Sequence, residues 1–152
     1  MSEIATHKMP VWQSRANFLI RADLADHGMA GRMEQLWARK IDDKTFEICC
    51  IPFFTYGVAL GDTVETDGGY FVRKVVRKGG HRTLRGAVAN KDKANELHES
   101  IHGQLDRAGL VYEWYAPGYF AVDLPSPCKE GEIVPFLLDL ANTGDLTYEI
   151  DA

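Results

Sequence analysis

Apolar and polar side chains alternate with a period of two through the first half of the chain, a pattern typical of half-buried β-strands. The clearest run covers residues 16–25, and one face of it carries Phe18, Ile20, Ala22 and Leu24. Further strands are predicted over 32–41, 45–51, 63–67 and 70–78. Five short strands joined by tight turns indicate a small β-barrel or a rolled sheet.

The second half of the chain mixes helical and strand periodicities. Apolar side chains recur at helical spacing and predict an amphipathic helix, which Gly109 ends. These side chains are Ala94, Leu97, Ile101, Leu105 and Ala108. A second helix is predicted around Phe136 and Leu140, with Pro135 in its first turn. Strands are predicted over 82–89, 110–115, 119–124 and 146–150, so the order is the β-α-β-β-α-β order of a ferredoxin-like unit.

The predicted fold class is therefore α+β. An N-terminal barrel-like or rolled sheet over residues 1–79 packs with a C-terminal ferredoxin-like half over residues 80–152. We expect the two halves to form one compact unit, because no long linker or repeat separates them. With 152 residues, 45% of them hydrophobic, the chain is long enough to bury a core without disulfides.

The formal net charge of -5 conceals an uneven distribution along the chain. Residues 73–93 carry eight basic side chains against one acidic, a net charge of +7, and residues 94–152 carry two basic against eleven acidic, a net charge of -9. Blocks of opposite sign either attract each other within the fold or form two separate contact surfaces. General nucleic-acid binding is disfavoured, because most of the surface would repel phosphate.

Targeting and cysteine patterns indicate a cytoplasmic protein without a membrane partner. The N-terminus lacks a cationic start followed by a long apolar run. The longest apolar stretch, residues 48–54, is far shorter than the ~20 residues that cross a bilayer. Three cysteines, Cys49, Cys50 and Cys128, exclude a disulfide framework and predict reduced thiols.

Four short motifs give the chain a family resemblance. They are Leu36-Trp37, Pro52–Phe54, Gly61-Asp62 and the basic, glycine-containing stretch Arg77–Arg85. With this arrangement over residues 16–150 the chain resembles a bacterial group, the domain of unknown function 4265 (DUF4265) family. The resemblance implies a single compact αβ unit in a bacterial cytosol, and it implies no reaction.

The segment His98–His102 fits the H-E-x-x-H pattern of zinc hydrolases. In those enzymes two histidines one helical turn apart hold the metal, and the glutamate, here Glu99, is the general base. The helical spacing places His98 and His102 on the flank of the apolar stripe and Glu99 on its far side, with no third ligand marked. The pattern therefore favours boundary histidines over a metal site, and no cofactor is predicted.

A second candidate site is the basic loop, which comprises Arg77, Lys78, His81, Arg82 and Arg85. Backbone N–H groups of its Gly79-Gly80 turn, with arginines around them, suit a small anion or a nucleotide. No Walker-type lysine follows, and the loop joins two strands, so no helix N-terminus points at a ligand. The alternative is a hairpin turn whose charges pair with the acidic C-terminal half.

A third candidate is the face of the C-terminal sheet that points away from the two helices. Strand alternation places on it Glu113, Tyr115, Tyr119, Asp123 and Glu149. Carboxylates interleaved with aromatic rings disfavour nucleic acid and suit a basic protein surface. The alternative is that this face packs against the N-terminal half.

These features leave three functions open. We expect a non-catalytic binding protein, such as a toxin-neutralising immunity protein, that masks a basic protein partner with the acidic aromatic face. The alternatives are a regulatory module that senses a small anion or nucleotide through the basic loop, and a zinc hydrolase built on His98 and His102. The chain has no G-x-S-x-G motif, the nucleophile motif of many hydrolases. This absence favours a protein without enzymatic activity, but it does not decide whether the protein is an enzyme.

Overall fold

The computed structural model describes residues 3–126 and 129–151. Within these ranges the chain forms ten strands and two α-helices, and the strands lie in two sheets. The predicted α+β class is confirmed, and neither helix in this part of the chain is long and apolar enough to cross a membrane. The division into domains over 1–79 and 80–152 stays a prediction.

Six strands form the first sheet. They are β1 (Glu3–Ala5), β2 (Phe18–Asp23), β3 (Arg32–Lys40), β4 (Thr45–Ile48), β5 (Thr63–Thr66) and β6 (Val72–Arg77). β3 pairs with parallel β1 and with antiparallel β2 and β4. Phe71, directly before β6, forms an isolated bridge with Arg21 of β2. The ends of the curled sheet therefore meet at one bridge, and β2 and β6 do not pair as strands. The described strands form no closed barrel, and the three-residue β1 was not predicted.

The second sheet is antiparallel throughout and has the strand order β10-β7-β9-β8. Its strands are β7 (Arg82–Val88), β8 (Tyr112–Ala116), β9 (Tyr119–Leu124) and β10 (Leu146–Asp151). Two helices, α1 (Ala94–Arg107) and α2 (Glu130–Asn142), pack on one face and share an apolar core with it. The apolar stripe of α1 is buried at Leu97, Ile101 and Leu105, as its spacing predicts.

Helix α2 begins before its predicted start. It starts at Glu130, so Pro135 lies in the second turn and not in the first. Glu130 and Glu132 occupy the first turn, where carboxylates interact favourably with the helix dipole. Proline has no N–H to donate to the carbonyl of Gly131, but Gly131 is exposed, and water reaches that carbonyl.

The segment between β4 and β5 belongs to the first half of the chain and packs against the second sheet. We call residues 51–60 the connector. Its side chains Ile51, Phe53 and Leu60 form a small apolar cluster with Ala121 of β9. The connector therefore lies against the face of the second sheet that is opposite to the helices.

Candidate functional site

The connector covers most of the sheet face that the sequence suggested as a partner-binding surface. Glu113 is only 5% exposed and Asp123 only 4%. The small side chain of Ala121, which lies between them on the same face, leaves room for Ile51 and Phe53. The interpretation of Glu113 and Asp123 as solvent-exposed binding residues is therefore wrong, because this part of the face packs against the N-terminal half.

The other three residues of that predicted surface keep part of their exposure. Tyr115 is 41% exposed, and Glu149 on the edge strand β10 is also exposed. Tyr119 is half-buried, and its hydroxyl donates a hydrogen bond to the carbonyl oxygen of Phe53 at 2.6 Å. What remains accessible is one end of the face, beside Tyr119 and Glu149.

Glu113 belongs to a buried ionic cluster that the sequence did not reveal. The imidazole of His7 lies between two carboxylates, with Nε2 2.6 Å from Glu34 Oε2 and Nδ1 2.7 Å from Glu113 Oε1. His7 also stacks on Phe53, with ring centroids 4.3 Å apart. We call His7, Glu34 and Glu113 the Glu–His–Glu cluster. It joins the segment after β1, strand β3 and strand β8.

The backbone of the connector completes this cluster. Oxygen atoms of Glu34 accept hydrogen bonds from the N–H groups of Phe53, Phe54 and Thr55 at 2.7–3.0 Å, and from the Thr55 hydroxyl at 2.7 Å. Glu113 accepts the N–H of Ile51 at 2.6 Å. Buried N–H groups outside a sheet need acceptors, and here two carboxylates supply them. The connector is thereby fixed in one conformation.

Both nitrogens of His7 face carboxylate oxygens, so the ring is held as an imidazolium that donates two hydrogen bonds. Burial opposes that charge, but Cys50, Glu113 and Glu34 outweigh burial and raise the pKa of His7 well above 6.5. For Glu34, burial is likewise outweighed, and His7 with the N–H of Phe53 and the Thr55 side chain lowers the pKa of the carboxyl. The cluster therefore carries charge in the interior at neutral pH.

Cys50 lies beside His7 and resembles the thiol of a cysteine–histidine pair. Its side chain is fully buried, and burial raises the pKa of the thiol despite the nearby imidazolium. A nucleophilic cysteine needs a lowered pKa and access to substrate. Cys50 has neither, so the arrangement serves packing. Cys49 and Cys50 are both free thiols, as predicted, and Cys128 lies outside the described residues.

The basic loop does not hold an open anion site. The N–H of Gly79 donates to Asp62 Oδ1 at 2.8 Å, and Lys78 Nζ lies 2.8 Å from the Gly57 carbonyl oxygen and 3.4 Å from Asp62 Oδ2. A Cβ at Gly79 would lie 2.5 Å from the Gly61 carbonyl oxygen, so a glycine is required for this approach. The loop therefore binds an internal carboxylate in the way that it would bind a ligand.

The remaining basic residues of the loop are also engaged, except for Arg77, which is exposed. His81 Nδ1 lies 2.8 Å from Asp123 Oδ1, and Arg82 forms an ion pair with Glu130. Arg85 is 2% exposed; it donates to two connector carbonyls and lies 3.2 Å from Asp151 Oδ2. These three residues pair with acidic residues of the C-terminal half, as the alternative interpretation expected. The loop is not a hairpin turn, however, because β6 and β7 lie in different sheets.

The H-E-x-x-H segment lies on α1 with its histidines against the sheet edge. His98 packs on Trp114, with ring centroids 3.9 Å apart, and His102 contacts the Tyr112 hydroxyl and Asp106. Within residues 3–126 and 129–151, no three histidine, cysteine or acidic side chains are grouped as metal ligation requires. The geometry does not supply the three protein ligands of a catalytic zinc site.

An open pocket remains where the connector leaves the sheet face. It has a volume of about 270 Å³. We call it the tyrosine pocket. It is lined by Tyr56, Arg85, Gly86, Ala87, Tyr119, Thr147, Tyr148 and Glu149. Strand alternation directs the Tyr148 side chain to the helix side, so Tyr148 contributes main-chain atoms. The exposed walls are therefore two tyrosine rings, Thr147 and the carboxylate of Glu149.

Tyr56 forms the outer wall of the tyrosine pocket. The guanidinium of Arg85 lies over its ring, 4.8 Å from the centroid. Burial, then a hydrogen bond to Glu149 and the charge of that carboxylate, raise the pKa of the Tyr56 hydroxyl. Asp151 balances Arg85, so Glu149 leaves the pocket with a net negative charge.

Comparison with known proteins confirms the family suggested by the sequence motifs. The family model described as a domain of unknown function, DUF4265, matches residues 34–148. The chain belongs to this family. A solved structure described as a hypothetical protein from Neisseria gonorrhoeae is similar, with a TM-score of 0.66 and 19% identity over 88% of this chain and 94% of that chain. At that identity the similarity shows the fold alone, and no curated protein matches the chain.

Sequence reasoning missed the residues that organise this DUF4265 protein. Glu34 lies on the buried face of β3 with Leu36 and Ala38, so an acid at an inward position was a detectable signal. His7 gave no local signal, because it follows a strand of only three residues. Tyr56 gave none either, since its role depends on where the connector ends.

Proposed function

We propose that this DUF4265 protein is a non-catalytic binding protein that masks a basic protein partner, with the tyrosine pocket at the centre of the contact. The observation that carries the proposal is an open, negatively charged pocket walled by Tyr56 and Tyr119, with Glu149 at its rim. Aromatic side chains next to a carboxylate are typical of surfaces that bind basic side chains. A toxin-neutralising immunity protein is the concrete form of this proposal.

Charge around the pocket supports a basic partner. Most basic side chains of residues 77–85 form ion pairs with Asp62, Asp123, Glu130 and Asp151. Glu149, in contrast, is exposed at the edge of the sheet. A surface with residual negative charge attracts basic proteins and accelerates their encounter.

The alternative functions have less support. An anion sensor would need the N–H of Gly79, which Asp62 already occupies. A zinc hydrolase would need a third ligand beside His98 and His102. We further propose that the second sheet with its two helices is a ferredoxin-like unit, supported by its β-α-β-β-α-β order, and that the protein acts in a bacterial cytoplasm, supported by the sequence patterns.

Binding to a defined basic ligand tests the proposal. The probe is a lysine-rich peptide, and a glutamate-rich peptide of equal length is the negative probe. We expect the lysine-rich peptide to bind, and its affinity to fall about tenfold or more as NaCl rises from about 0.05 M to about 0.5 M. Isothermal titration calorimetry at each salt concentration gives the affinity. Absence of binding, or binding that salt does not weaken, would overturn the proposal.

Two charge-reversal variants locate the contact. Glu149→Lys at the pocket should weaken binding about tenfold, which corresponds to about 1.4 kcal/mol. Glu99→Lys makes the same charge change on the exposed side of α1 and should weaken binding less than about threefold. An equal loss in both variants would mean that overall charge, and not the pocket, determines binding. Glu113 is unsuitable for this test because a lysine there would bury an unpaired charge.

A further inference from the structure

The hydroxyl groups around the tyrosine pocket have their hydrogens directed at internal acceptors. The Tyr119 hydroxyl donates to the Phe53 carbonyl oxygen at 2.6 Å, and Glu149 lies near enough to the Tyr56 hydroxyl to raise its pKa. The Thr147 hydroxyl is directed at the Ala87 carbonyl oxygen at 3.5 Å. A hydroxyl that donates inward presents its lone pairs outward. The pocket is therefore lined with acceptors.

Arg85, the one cation among the described residues that line the pocket, is not available to a ligand. Arg85 directs Nε to the Pro52 carbonyl oxygen, Nη2 to the Thr55 carbonyl oxygen and Nη1 to Asp151. Its residual exposure of 2% leaves little guanidinium surface in the pocket. A bound anion would meet lone pairs and the Glu149 carboxylate, and it would be repelled. The lining thus selects a ligand that is a cation and a hydrogen-bond donor.

We infer that the tyrosine pocket binds a primary ammonium group, and that its occupant is a lysine side chain of the basic partner. This inference rests on the proposed function for the source of the lysine. An ammonium has three N–H donors on one atom, and the pocket is lined by three residues with acceptor oxygens, Glu149, Thr147 and Tyr119. The aromatic wall of Tyr119 packs against the aliphatic part of the lysine side chain.

The geometry disfavours two related cations. A guanidinium is planar and needs acceptors spread in its plane, and the face of Tyr56 that would stack on it is already used by Arg85. A trimethylated ammonium has no N–H, so the acceptors of the pocket would lose water without gaining a hydrogen bond. The order of affinity should be lysine above arginine, and lysine above trimethyllysine.

Titration with capped amino acids tests the inference without a partner. The probes are Nα-acetyl-lysine methylamide, the arginine and trimethyllysine equivalents, and the norleucine equivalent, which lacks the charge. Amide NMR spectra should show lysine-dependent shifts at Gly86, Ala87 and Thr147. Each of the other three probes should bind at least about fivefold more weakly, in accordance with the missing donors or charge. Lysine binding no tighter than binding of the trimethyllysine probe would overturn the inference.

Neutral variants separate the pocket from general charge. Glu149→Gln should weaken lysine binding about tenfold, and Thr147→Val about threefold. Glu99→Gln on α1 is the matched control and should leave it unchanged. Thermal melting checks that each variant remains folded. Loss of lysine binding in Glu99→Gln as well, or retention in Glu149→Gln, would contradict the inference.

The outcomes also distinguish this inference from the proposed function. Should the lysine-rich peptide bind in a salt-dependent way while Glu149→Gln and Thr147→Val leave its affinity unchanged, the function stands and the lysine pocket is wrong. Should capped lysine occupy the pocket while the lysine-rich peptide does not bind, the pocket recognises an ammonium group and the proposed protein partner is wrong.

Discussion

The charge on His7 allows two carboxylates to be buried within one cluster. Its two N–H groups point at Glu34 and Glu113, which are almost completely inaccessible to solvent. A buried ion pair contributes little net stability relative to an apolar replacement, but removing one partner leaves the other charge uncompensated. Loss of His7 should therefore destabilise the folded protein, because two buried carboxylates would remain without their cation.

His7→Ala should lower the free energy of unfolding by about 3–5 kcal/mol. The neighbouring Lys8→Ala, at an exposed position, should change it by less than about 0.5 kcal/mol. Urea denaturation followed by tryptophan fluorescence measures both variants. A loss for His7→Ala no larger than that for Lys8→Ala would contradict the role assigned to the imidazolium.

Gly86 is required by packing. A Cβ at this position of β7 would lie 2.2 Å from Cζ of Phe120, a buried ring in the apolar core between the second sheet and its two helices. We expect Gly86→Ala to destabilise the protein by about 1–3 kcal/mol, because the core must shift to admit the methyl group. Gly131→Ala in α2 has open space around the added Cβ and should stabilise by about 0.5–1 kcal/mol. The urea concentration at the midpoint of unfolding should fall for Gly86→Ala and rise for Gly131→Ala.

At the scale of elements, the connector depends on side chains from distant strands. Its N–H groups have no strand partner, and Glu34 of β3 and Glu113 of β8 accept their hydrogen bonds. The connector in turn positions Tyr56 at the pocket. The charge state of the Glu–His–Glu cluster therefore affects how firmly the connector is held, and with it the position of Tyr56 at the tyrosine pocket.

The stability of the protein should therefore depend on pH in a predictable way. The raised pKa of His7 means that its contribution is complete below about 6.5 and is lost as pH rises toward the folded-state value. The lowered pKa of Glu34 means that its contribution is complete above about 4.5 and is lost as pH falls through the folded-state value. The free energy of unfolding from these two groups should be highest between pH 4.5 and 6.5.

Urea denaturation at a series of pH values measures this profile. His7→Gln cannot titrate at this position, so the decline above pH 6.5 should be much smaller in that variant. His27→Gln, which changes a histidine outside the cluster, is the control and should retain the wild-type decline. A wild-type profile that is flat from pH 6.5 to about 9 would contradict the assigned charge state.

Local patterns predicted the two helices and nine of the ten strands of the described residues, but they could not show which segments cover them. Alternation placed Leu84, Val122 and Leu146 on the helix side, and all three lie in that core. The same alternation correctly placed Glu113 and Asp123 on the opposite face. It could not show that the connector packs there, because that contact joins segments about 60 residues apart and depends on tertiary structure. Glu149 stays exposed because it lies on the edge strand.

At the scale of the whole molecule, the two halves are joined by contacts that bury polar groups with apolar ones. Ile51 and Phe53 pack against Ala121 beside the Glu–His–Glu cluster, and Tyr119 bonds to the connector. Separation of the halves would expose the apolar groups and leave the carboxylates without their N–H partners. We therefore expect the sheets to unfold cooperatively, and not one after the other.

Thiol labelling should report that cooperative opening. Cys49 and Cys50 are fully buried, and burial raises the pKa of Cys49 to about 11. In a Cys128→Ser variant, which removes the third thiol, a disulfide reagent at about pH 8 should not label the native protein. Labelling should begin at the urea concentration at which fluorescence reports unfolding. Rapid labelling without urea would contradict the burial of the pair.

The position of His7 makes the interior depend on the short segment that follows β1. Proteolytic removal of this segment would leave Glu34 and Glu113 close together without the cation between them. The shortened chain should then open and become a substrate for further degradation. Cleavage next to His7 should thereby shorten the time that the folded protein persists.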